Sequence, residues 1–295
     1  MMRWLKKHLL TILLVLVFLI GLGVLAYPTV SDYWNSFRQS RAIMHYAETV
    51  AKMDPEEYDR ILKSAKAYNA KIARVGMLWK LNDAERAEYK RQLNFEKDGN
   101  MGYITIEKID VQLPIYHGTS EEVLQTSIGH LEGTSLPVGG KSSHCVLSGH
   151  RGLPSAKLFS DLDKMEERDV FTLNVLDETF TYQVDQIRVV KPSDLSSLRI
   201  EPGKDYCTLV TCTPYGINTH RLLVRGHRIA NPQGNGKVVA DAMRISVIYV
   251  VPFVGVPMLF ILLVILLIIT RDRKKRRKAL KQAKKELKRQ KKEKK

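Results

Sequence analysis

The chain has 295 residues, a net charge of +16 and three cysteines, Cys145, Cys207 and Cys212. So few thiols, odd in number, exclude a disulfide-stapled scaffold. Residues 271–295 contribute +13 of the charge and Arg3, Lys6 and Lys7 another +3, so the 28 acidic and 28 basic residues within 27–245 cancel, which excludes a basic nucleic-acid-binding domain.

Two stretches, Leu9 to Ala26 and Ser246 to Thr270, carry no charged residue, and each is long enough for a bilayer core that needs about 20 apolar residues. Basic residues precede the first and densely follow the second. The positive-inside rule therefore places both termini in the cytosol and exports residues 27–245. The basic start also fits a signal peptide cleaved after Val24-Leu25-Ala26, but the apolar run is long for one and reads as an uncleaved anchor. The tail, 271–295, is expected to lie against anionic lipid.

Beyond the first span, Tyr33 to Val50 is predicted to be helical. Asp54-Pro55-Glu56-Glu57 opens a second helix, with Asp54 as N-cap, Pro55 in the first turn and Glu57 placed to complete a capping box. Tyr58, Ile61, Leu62, Ala65 and Tyr68 line one face of it. Residues 76–100, interrupted by Gly76, Asn82, Asp98, Gly99 and Asn100, read as a linker or mobile cover.

From Met101 the period shortens. Ile104, Ile106, Ile109, Val111, Leu113 and Ile115 describe two short strands. Glu121 to Gln125 adds a helical turn, 129–140 is a glycine-rich loop, and Ser143 to Ser148 is a strand ending at Gly149-His150-Arg151-Gly152. Ser155 to Met165 reads as a short amphipathic helix carrying Leu158, Phe159 and Leu162. Val170 to Val175 and Phe180 to Val190 form a hairpin. Tyr206 to Thr211 and the returning Arg221 to Val224, parted by Pro214, Gly216 and Asn218, close the domain. Seven or eight short strands within Met101 to Ile229 favour a mainly β fold, a small barrel.

Cys212 lies where a strand gives way to a turn, which offers a nucleophilic thiol access to substrate, although a buried inert thiol is an equal reading. His150 sits in a glycine-flanked loop suited to a functional imidazole, with His117, His130, His144, His220 and His227 as competitors. Arg221 lies across the turn from Cys212 and could donate to an oxyanion. Arg225, four residues on, has the same strand parity, so spacing does not choose between them. No convincing C-x2-C or H-x3-H pair suggests a metal, and no phosphate-binding glycine loop suggests a nucleotide cofactor. Cys145 and Cys207 each lie five residues before a candidate site residue and read as two buried free thiols, close to each other if their strands are parallel neighbours.

Thr208-Leu209-Val210-Thr211-Cys212 with Arg221 nine residues on, preceded by Leu147-Ser148-Gly149-His150-Arg151-Gly152, closely resembles the sortases, transpeptidases of Gram-positive cell surfaces. The Thr213-Pro214-Tyr215-Gly216-Ile217-Asn218 turn, the Leu222-Leu223-Val224-Arg225-Gly226 strand and a carboxy-terminal span look like the class C, pilin-polymerising branch. The resemblance covers roughly residues 40–270. It implies an eight-stranded sortase barrel with N-terminal helices, flanked by two transmembrane helices, and a cofactor-free enzyme. It also implies that Cys212 attacks the Thr–Gly carbonyl of a Leu-Pro-x-Thr-Gly-like signal, that His150 serves as acid and base, and that Arg221 holds the signal and the oxyanion. Thr211 would offer the substrate a backbone contact. The acceptor would be a lysine amine of another pilin, with a cell-wall peptidoglycan amine as the alternative, or no covalent product at all if the chain were a non-catalytic assembly factor.

Class C enzymes commonly carry a lid whose Asp-Pro-aromatic triplet plugs the site. Here Val75 to Leu81 reads Val-Gly-Met-Leu-Trp-Lys-Leu, so a lid is absent or rebuilt, with Met77 or Trp79 as its plug.

Overall fold

The structure, a computed structural model, describes residues 2–231. The expected second span and the basic tail lie outside the described residues.

Helix α1, Met2–Ala51, joins the first apolar run and the predicted Tyr33–Val50 helix into one element with Pro28 inside it. From Leu16 onward it is long and apolar enough to cross a membrane. Its distal part docks through buried Ile43, Tyr46 and Val50. The Tyr46 hydroxyl donates to the Met101 carbonyl at 3.0 Å and accepts from the Leu176 amide at 2.8 Å, so one buried side chain fixes the helix to two barrel segments.

Helix α2, Pro55–Val75, starts as the sequence suggests, with Asp54 capping the Glu56 amide. Glu57 instead pairs with Arg60. The capping box falls at Asn82 and Glu85, which open helix α3, Asp83–Arg91. Residues 76–100 are thus not merely a linker. Helix α3 is short and polar and buries Tyr89 alone, so it has no apolar periodicity to read.

Eight strands close a barrel: β1 Asn100–Ile106, β2 Val111–His117, β3 Ile128–His130, β4 Ser143–Ser148, β5 Val170–Val175, β6 Glu178–Val190, β7 Asp205–Thr213 and β8 His220–Arg228. A short helix α4, Glu121–Leu124, precedes β3. The order around the barrel is β1-β2-β3-β4-β7-β8-β6-β5. Closure removes open sheet edges. Strand β3 overlaps the start of the glycine-rich stretch read as a loop, and three residues are too few to show an alternation. Ser155 to Met165 is not a helix either: its only helical piece is a single 3-10 turn at Leu162–Lys164. Leu158, Phe159 and Leu162 are buried as that reading required. The backbone that carries them bonds elsewhere, with the Phe159 amide donating to the His150 carbonyl at 3.1 Å.

Strand period divides β4, β7 and β8 into two faces. Cys145, Leu147, Cys207, Leu209, Leu222 and Val224 join the main core, whereas Val146, Val210 and Leu223 belong to a separate apolar cluster. Strands β4 and β7 are parallel, and Cys145 is level with Cys207. Both thiols are free and buried, and burial pushes the Cys207 thiol well up.

Candidate active site

The parallel ladder of β4 with β7 ends with Ser148 opposite Val210, and the Gly149 amide continues it by donating to the Val210 carbonyl at 3.0 Å. One residue further on, His150 stands level with Cys212. On the other side of β7, Cys212 is paired with Arg221 of β8. By strand parity Cys212 and Arg221 share the face of Val210 and Leu223, and extending the β4 register into the loop brings His150 to the same edge, so the three residues form a row across three adjacent strands, which lie about 4.8 Å apart.

Thr211 is buried, and its hydroxyl donates to the Gly149 carbonyl at 2.8 Å. Its side chain therefore ties the His150 loop to β7, and any contact it makes with substrate must use its backbone. The two loops framing the row also touch. The Arg151 guanidinium lies 5.7 Å from the centre of the Tyr215 ring and is paired with Asp163. Gly152 adopts φ +77°, and a Cβ there would meet that ring at 2.9 Å, so glycine serves both the backbone and the close approach.

Contacts separate the residues that spacing left equivalent. Arg225 is engaged by Asp185 at 3.0 Å and Glu201 at 3.3 Å and stacks 4.1 Å from the Tyr206 ring centre. Arg221 pairs with no carboxylate among the described residues. Its Nη1 donates to the carbonyls of Asn218 and His220, which holds one edge of the guanidinium. Of the competing histidines, His130 is buried between Tyr89 and the Ser135 carbonyl. His144 is held by the Arg199 carbonyl and the Thr208 hydroxyl, and burial lowers its pKa to about 4. His117 is likewise lowered by burial, against a bond to the Gly99 carbonyl.

Val146, Leu198 and Leu223, with Val190, Leu195, Val210 and Leu131 packed round them, make an apolar shelf that adjoins the row. Met77 packs on this shelf, and Trp79 is exposed. The Met77 segment is held by the Leu78 amide, which donates to the Gly133 carbonyl at 3.0 Å. Sequence reading found neither the shelf nor its pieces from the β6–β7 connection, Leu195 and Leu198. The shelf residues come from six separate segments, and no local pattern links them.

A thiol, an imidazole and a guanidinium side by side are the group types that an acyl-transfer site of the cysteine type uses. The comparisons place it in a family. Residues 104–229 match the sortase domain. Sortase C1 from Streptococcus agalactiae is 62% identical, with a TM-score of 0.64, covering 65% of this chain and 99% of that one. A sortase C from Streptococcus pneumoniae, whose structure is described as informing catalysis and pilin substrate specificity, is 47% identical, with a TM-score of 0.59 over 65% of this chain and 97% of its own. Sortase D of Bacillus subtilis is 28% identical over 151 residues, 50% of this chain and 73% of its own. The chain belongs to the sortase family, its structural neighbours include class C sortases, and as a sortase it is a cysteine transpeptidase.

Proposed function

We propose that this enzyme cleaves a Leu-Pro-x-Thr-Gly-like sorting signal between Thr and Gly and transfers the acyl group to a lysine amine of another pilin subunit. The observation that carries this reading is the His150, Cys212 and Arg221 row on one face of adjacent strands, in a chain 62% identical to a sortase C1.

The Cys212 thiolate attacks the Thr carbonyl carbon, forming a C–S bond and an oxyanion that faces the Arg221 guanidinium. Collapse breaks the C–N bond, and the His150 imidazolium gives its proton to the departing glycine amine, leaving a thioester. The acceptor lysine then attacks as a neutral amine. His150 takes its proton as the new C–N bond forms and the C–S bond breaks, which restores the thiol system. The bond energy is kept in the thioester, so no nucleotide is consumed.

The apolar shelf lies beside the row and suits the leucine and proline of such a signal, and Met77 is its cover in the absence of the Asp-Pro-aromatic triplet. The apolar run of α1 anchors the enzyme in the membrane with the barrel outside, and the basic tail holds the cytosolic leaflet. Incubating the full-length enzyme with a purified pilin and separating the products on a denaturing gel tests the reading. A covalent ladder that disappears with Cys212→Ala is expected. Transfer to a peptidoglycan amine without a ladder would assign the enzyme to cell-wall anchoring, and unchanged activity in Cys212→Ala would leave no enzyme at this site.

A further inference from the structure

His150 is the only member of the row whose reacting ring has an unanswered buried atom. Its Nε2 is shielded from solvent and has no hydrogen-bond partner among the described residues. The nearest acceptor is the Glu121 carboxylate, with Oε2 at 3.6 Å. The other oxygen of that carboxylate, Oε1, accepts from Gln125 one turn on, so the side chain is held with Oε2 toward the ring.

The backbone around this pair is fixed from outside the barrel. On one face of α1, Gln39 donates to the Thr126 carbonyl, just after α4. Asn35 donates to the Ser155 carbonyl at 2.8 Å, and Asp32 accepts from the Lys157 amide at 2.7 Å. Residues 32, 35 and 39 lie on one helical stripe. A single helix thereby pins both the segment that carries Glu121 and the loop that follows His150.

We propose that Glu121 is the positioning residue of His150: its carboxylate accepts from Nε2–H, fixes the ring orientation and tautomer, and leaves the other ring nitrogen to exchange protons with the thiol and the amines. This rests on the reading of His150 as the acid and base. A 3.6 Å gap is longer than a hydrogen bond. Glu121 is 70% exposed and His150 27%, so a small rotation of the carboxylate about its hydrogen bond to Gln125 closes the gap when substrate covers the pair. Holding an imidazole by a third group is the general logic of nucleophile–base pairs. The other charged or titratable groups on elements meeting at this corner are Glu122 on α4, Arg151 with its partner Asp163, Cys212 on β7 and Arg221 on β8. None of the described contacts brings any of them to Nε2 within hydrogen-bonding distance.

The test uses the full-length enzyme in detergent, with a fluorogenic Leu-Pro-x-Thr-Gly peptide and a lysine-like amine acceptor. Glu121→Gln is expected to lower kcat by about tenfold with KM within twofold, to alter the pH profile of kcat/KM, and to be partly rescued by Glu121→Asp. Glu122→Gln should stay within twofold of wild type on every measure. A wild-type kcat and pH profile in Glu121→Gln, in an enzyme that Cys212→Ala and His150→Ala still inactivate, would overturn this inference alone. If Glu121→Gln changed only the KM for the acceptor amine, Glu121 would belong to acceptor binding and the positioning role would likewise fall. Full activity in His150→Ala would instead overturn the reading beneath it.

Discussion

A histidine of β4 or its following loop and an arginine of β8 stand at each end of one face flanking β7, and the two ends differ in how completely those groups are satisfied. At one end His144 has a partner for each ring nitrogen, at 2.9 and 2.7 Å, and Arg225 is paired with two carboxylates and stacked on Tyr206. At the other end, among the described residues, the Nε2 of His150 has no hydrogen bond and Arg221 is held by carbonyls of its own turn without a carboxylate. A satisfied polar network rigidifies, whereas a group held but not neutralised keeps its capacity for a ligand or a transition state. Histidine and arginine alone do not separate the two ends; the thiol of Cys212 and the missing partners do.

Cysteine substitutions break the contrast most sharply. Cys212→Ala is expected to abolish covalent product, a loss of 1,000-fold or more on the order seen when a covalent nucleophile is removed, measured by pilin-ladder formation. Cys207→Ala, on the same strand but facing the core, should leave kcat/KM within about threefold and lower stability by about 1 to 2 kcal/mol for the small cavity it opens, read from the thermal midpoint.

The arginines come next. Arg221→Lys keeps the charge and loses the planar donor edge, and should lower kcat by about 100-fold. Arg225→Lys should lower it by less than about threefold, with its effect confined to stability. Steady-state kinetics on the signal peptide separates the two, and equal losses would erase the distinction drawn from their partners.

At the shelf, Met77→Ser removes part of an apolar cover worth about 1 kcal/mol, so peptide hydrolysis is expected to rise by no more than about fivefold. A rise of 100-fold would make Met77 a tight plug rather than a cover.

The smallest effect belongs to His144. Its folded pKa, about 4, lies below the roughly 6.5 of an unfolded histidine, so the unfolded chain binds the extra proton first. That site's contribution is intact above about pH 6.5 and is lost as pH falls toward 4. His144→Gln should therefore flatten the fall in thermal midpoint between pH 7 and pH 5, while being less stable than wild type at pH 7.

Much of this was legible in advance where a local pattern carries the information. Tyr206 to Thr211, rich in β-branched and apolar residues, reads as a strand because such residues fit a pleated, buried surface, and the turn at Pro214 to Asn218 reflects backbone chemistry. Helix α3 and strand β3 were not legible, because one buried tyrosine and three residues respectively give no period. The supposed helix at 155–165 shows the converse. Its apolar spacing was helical, yet its backbone bonds go to local turns, to α1 and, through Phe159, to the His150 carbonyl.

The sequence by itself determined the mainly β barrel and the apolar run at the start, and it narrowed the candidate site to Cys212 with a few histidines and two arginines, since each of these depends on neighbours a few positions away. Only the tertiary structure decided which arginine pairs with carboxylates and which histidine is already satisfied, that Met77 rests on the shelf, that Glu121 stands beside the imidazole, and that α1 pins the segments around it. Those outcomes depend on contacts between segments up to 125 residues apart, and partners at such separation are chosen by chain topology rather than by any local spacing.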